Sequence, residues 1–71
     1  MKIKSDVIRR ALVDRELTFR DLEHKSGIAS NTVSRILKKG VCSPVNAGRI
    51  ARGLGVTIDE IAEWEGGGQG D

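Results

Sequence analysis

With 71 residues, 38% of them hydrophobic and only Phe19 and Trp64 aromatic, the chain has material for one small core and little room for a catalytic cleft. Its single cysteine excludes an internal disulfide, and its single histidine leaves a metal site short of ligands. The formal charge of +2 conceals a division: residues 1–52 hold all 12 Lys and Arg with five acids, a local +7, whereas residues 53–71 hold five acids and no Lys or Arg, a local −5. Such a division points to one basic surface for a polyanion and an acidic end kept away from it. No apolar run is long enough for a signal peptide or a membrane span, and a soluble protein of the reducing cytoplasm is expected.

Residues 1–4 read as a short basic arm with a frayed end. Ser5 is the expected N-cap of a first helix that reaches about Arg15, with Ile8, Ala11 and Leu12 inward and Arg9 and Arg10 outward. Residues 18–38, TFRDLEHKSGIASNTVSRILK, then read as helix, tight turn, helix. Thr18 and Asp21 have capping-box spacing, Leu22 is the main inward residue, and Gly27 supplies the left-handed residue that ends the first of the two. His24 falls on the outward side of that helix, and Phe19 near its start is expected to join the core.

The second helix starts at about Ser30. At about 100° per residue, Ala29, Val33, Ile36 and Leu37 fall on one side, and Asn31, Ser34, Arg35 and Lys38 on the other. That outward face has amide and hydroxyl groups beside two long cations and lacks a carboxylate, a set suited to base edges and phosphates. Lys38, Lys39 and Gly40 close the helix with cations at its negative end and a glycine just beyond.

Cys42 lies in a loop and reads as a small tolerated residue. Ser43 and Pro44 start a fourth helix that places Ala47, Ile50, Ala51 and Leu54 inward; Gly48 within it marks an expected close helix approach. Gly55 ends it. Val56 leads to Thr57 and Glu60, again at capping-box spacing, and to a short fifth helix with Ile58, Ile61 and Ala62 inward and Trp64 near its end. Residues 1–65 are expected to form one domain and the Gly-rich residues 66–71 a flexible tail.

The joint order of Leu17 and Thr18, Leu22, Gly27 and Ile28, Val33, and Ser34 to Ile36 resembles the Cro and phage-repressor type of helix-turn-helix regulator, the XRE family. Ser43 and Pro44, Arg49 to Ala51, and Leu54 to Val56 fit what such domains carry after the motif. The resemblance implies an all-α fold, a compact five-helix lambda-repressor-like domain, with residues 29–38 as a recognition helix in the DNA major groove. Three positions depart from the pattern. Phe19 stands where the family often has a phosphate-bonding Gln, Glu23 where Ala is usual at the helix crossing, and Ala29 where a Ser usually caps the recognition helix. Ser30 is the alternative cap.

The expected function is sequence-specific binding of double-stranded DNA by a small prokaryotic or phage transcriptional regulator, in the first instance a repressor. Candidate base contacts are Ser30, Asn31, Ser34 and Arg35; candidate backbone contacts are Arg20, Lys38, Lys39 and Asn46. A homodimer on a palindromic operator is expected, with Ile58, Ile61 and Trp64 as candidate dimer contacts. No cofactor or metal is expected. An antitoxin bound to a toxin partner, or a protein-interaction module on the same fold, is the alternative. An enzyme is disfavoured, because no nucleophile is paired with a base and no glycine loop cradles a phosphate.

Overall fold

The computed structural model describes residues 1–63; the Trp64 contact and the expected tail lie outside them. In chain order the elements are β1 (Lys2–Ile3), α1 (Ser5–Asp14), α2 (Phe19–Ser26), α3 (Ser30–Lys39), α4 (Pro44–Leu54), α5 (Ile58–Ile61) and β2 (Ala62–Glu63). Five helices at the expected places make the domain helical. Their ends follow from local chemistry. Thr18 Oγ1 accepts from the Asp21 amide at 3.0 Å, and the Asp21 carboxylate accepts from the Thr18 amide at 2.9 Å, so two amides left over at the start of α2 are bonded. Ser43 accepts from the Asn46 amide at the start of α4, where Pro44 has no N–H to lose. Glu60 reaches back to the Thr57 amide at 2.9 Å. Gly27, Gly40 and Gly55 close α2, α3 and α4 at φ near +75°, the conformation in which a Cβ would collide with the carbonyl.

The core collects one stripe from each helix: Ile8, Ala11 and Leu12 of α1, Leu22 of α2, Val33, Ile36 and Leu37 of α3, Ala47, Ile50, Ala51 and Leu54 of α4, and Ile61 of α5. Leu17, Phe19, Val56 and Ile58 pack half-buried around it. Removing a Leu or Ile side chain from water contributes about 1.5 to 3 kcal/mol, and the side chains of α3 that join the core thereby fix its rotation about its own axis. Helix α2 packs chiefly on α4 and next on α3.

Three expectations are corrected. The first residues are not a frayed arm. Lys2 and Ile3 pair antiparallel with Glu63 and Ala62, Lys2 also bridges to Val41, and Ile3 is buried. Two residues per strand are too few for any alternation to show in sequence. Ser5 is the first helical residue rather than the cap. Lys4 occupies the cap position without a side-chain bond, and the Ser5 hydroxyl is directed elsewhere. Close helix approach belongs to Gly53, not Gly48. A Cβ on Gly53 would stand 2.9 Å from Leu22 Cδ1 and 3.3 Å from Ser26, whereas one on Gly48 would meet nothing within 4 Å.

Candidate nucleic-acid interface

The exposed side chains of α3 are Asn31, Arg35, Lys38 and Lys39; Ser30 and Ser34 are half-buried. Asn31, Ser34, Arg35 and Lys38 fall within an arc of roughly 100° on the helix, with Ser30 and Lys39 at its edges. On the opposite side Val33 has no exposed surface and Ile36 and Leu37 almost none, so the polar arc is held outward by packing. Arg20, in the first turn of α2, is also exposed. Asn46 sits half-buried in the first turn of α4, just after the loop that follows Gly40, with its amide bonded to Ser43. The base-contact candidates therefore share one face or its edge, and the backbone candidates lie on that helix's last turn and on the first turns of its two neighbours.

Both ends of α3 are anchored by other elements. At its start Ala29 holds the cap position, where it is exposed rather than inward as expected because it precedes the first helical residue, and it offers no side-chain oxygen; Ser30 does not act as the cap. Instead Glu23, from α2, accepts from the Ser30 hydroxyl at 2.6 Å and from the Ser30 amide at 3.3 Å, both through Oε1. The Ser30 hydroxyl, and next its amide, hold the Glu23 carboxyl below the usual range. The Glu that departs from the family pattern thus bonds one of the open amides at the start of α3, the Ser30 amide, where Ala29 can bond none. At the far end the Ser5 hydroxyl donates to the Leu37 carbonyl at 2.8 Å, and the Ile3 amide donates to the Gly40 carbonyl at 2.9 Å. These bonds satisfy carbonyls that an isolated helix leaves open. Glu23, Ser5 and Ile3 are the positioning residues missed in the sequence, because each acts across a crossing rather than along a helix.

Among the dimer candidates, Ile61 is fully buried inside the protomer and is a core residue; Ile58 is half-buried, and Trp64 lies outside the described residues. Burial pushes the Cys42 thiol upward, away from the thiolate that would react. Among the described residues no group of three or more His, Cys, Asp or Glu could share a metal ion, and no helix is long and apolar enough to cross a membrane.

A packed pair of short helices joined by a tight turn, the second with an outward, carboxylate-free polar arc, defines a small helix-turn-helix domain that binds DNA. Residues 7–67 match the family model described as a Cro/C1-type HTH DNA-binding domain, and the chain belongs to that family. Double-stranded DNA is its partner class, and the fold is a non-enzymatic one. Comparison with curated proteins and with solved structures gave no match.

Proposed function

We propose that the chain is a transcriptional regulator that reads duplex DNA by laying α3 in the major groove and represses by occupying its site. The observation that carries this is the polar arc of α3, free of carboxylates on the helix itself and fixed in direction by a buried face and by bonds at both ends. Arg35 suits the paired acceptors of guanine and Asn31 the donor and acceptor of adenine, with Ser30 and Ser34 at the same edge. Arg20, Lys38, Lys39 and Asn46 meet phosphates and set the register.

One recognition helix spans only a few base pairs, so the operator is a palindrome bound by a homodimer, with half-sites about one helical turn apart. Of the described dimer candidates, Ile58 is the one with surface left to offer. The test is selection from a random duplex library at near-physiological salt. An enriched palindrome is the expected outcome; a folded protein that enriches nothing refutes the proposal. Light scattering on the enriched duplex checks the stoichiometry, and one copy per duplex would refute the dimer.

A further inference from the structure

The Ser30 hydroxyl has a single proton, and that proton points at Glu23 Oε1 over 2.6 Å, the short distance of a charge-assisted bond. The same carboxylate oxygen takes the Ser30 amide, while Ala29 contributes no competing side chain. With its proton held, Ser30 can offer an incoming ligand only lone pairs. Phosphate oxygens, guanine O6 and N7, and thymine O4 are all acceptors and cannot use them; adenine N6 and cytosine N4 are donors and can.

We infer that Glu23 is a positioning residue for sequence reading, holding Ser30 as a hydrogen-bond acceptor so that the first turn of α3 selects an amino base, adenine or cytosine, over a keto base. This rests on the proposed reading of DNA through α3. It moves Ser30 from the general pool of polar contacts to one defined chemical choice, and it gives the carboxylate beside the recognition helix a purpose other than repelling phosphate.

The experiment uses the duplex enriched by the wild-type protein, with each base pair varied in turn, and compares wild type, Ser30→Ala and Glu23→Gln. Ser30→Ala keeps the amide bond to Glu23 and loses only the hydroxyl, so the position at which it changes preference is the one Ser30 reads. At that position the wild type should favour the amino base on the nearer strand by about three- to tenfold, the range of one hydrogen bond. Glu23→Gln keeps the side-chain length but can donate as well as accept. It should erase that preference at that position and leave the others unchanged.

A keto base preferred there by the wild type overturns the inference, as does a Ser30→Ala profile identical to wild type. So does a Glu23→Gln variant that strengthens or weakens every sequence equally, because Glu23 would then act through charge alone. Circular dichroism melts confirm that the variants are folded; should Glu23→Gln unfold, the wild-type and Ser30→Ala profiles decide. A wild-type protein that enriches no duplex refutes the parent reading instead, an outcome visible before any variant is made.

Discussion

Replacing Gly53 with alanine should destabilise the domain, and replacing Gly48, five residues earlier on the same helix, should stabilise it. In a helix interior either change gains up to about 1 kcal/mol of propensity. At Gly48 nothing lies within 4 Å of the new methyl, so about 0.5 to 1 kcal/mol of that gain should survive. At Gly53 the methyl would come 2.9 Å from Leu22 Cδ1 and 3.3 Å from both the Cβ and the backbone N of Ser26. Leu22 has no exposed surface into which it could swing, and the Ser26 backbone belongs to α2. Overpacking of this kind costs about 1 to 3 kcal/mol, and the net loss after propensity should be about 1 to 2 kcal/mol. For a domain of this size 1 kcal/mol moves the midpoint by about 4 to 8 °C, so Gly53→Ala should melt on the order of 5 to 15 °C lower and Gly48→Ala a few degrees higher. Thermal and urea denaturation followed by circular dichroism read both. Equal rises for the two variants would refute the claim that α2 and α4 meet through Gly53.

Arg35→Ala should cost about 1 to 3 kcal/mol in binding the selected duplex and relax preference at one base pair, whereas Lys38→Ala should weaken all sequences alike and lower the salt slope by about one; salt-dependent binding titrations distinguish the two. The Thr18 amide holds the Asp21 carboxyl below its ordinary range, as the Ser30 hydroxyl does for Glu23. The unfolded chain therefore takes up these protons first as pH falls, so the stabilisation is complete above the ordinary carboxylate values and is lost as pH drops below about 4. The double variant Asp21→Asn, Glu23→Gln should show a flatter acid limb in urea midpoints measured against pH; an unchanged limb would contradict this. Glu16 lies at φ +54°, a left-handed conformation costly for a side chain with a Cβ, and Glu16→Gly should raise stability by about 0.5 to 1 kcal/mol in denaturant titration.

The helices were legible because each signal is local. Thr18 with Asp21, Ser43 with Pro44, and the glycines at 27, 40 and 55 sit within four residues of the backbone groups they satisfy. The apolar stripes follow from the helical repeat, and the α3 polar arc is simply what remains. Contacts between elements were not legible. Glu23 and Ser30 lie seven residues apart across a turn, and only the crossing of α2 with α3 makes them partners. Gly48 and Gly53 flank the buried stripe of α4 on opposite sides, and nothing in their neighbours reveals which flank α2 will cover. Ile61 fits an inward helical pattern and a candidate dimer surface alike; its burial leaves it the first role alone.

The small sheet joins residues about sixty positions apart and touches the loop beyond α3 as well. Closing a loop of that length carries an entropic penalty of about 3 to 4 kcal/mol, which only an already assembled core can offset. The two strands should therefore be among the last parts to fasten and the first to come loose. When they do, the Gly40 carbonyl loses its partner, the Ile3 amide, and the far end of α3 frays with the strands that pin it. Opening of the sheet is in this way felt at the far end of α3.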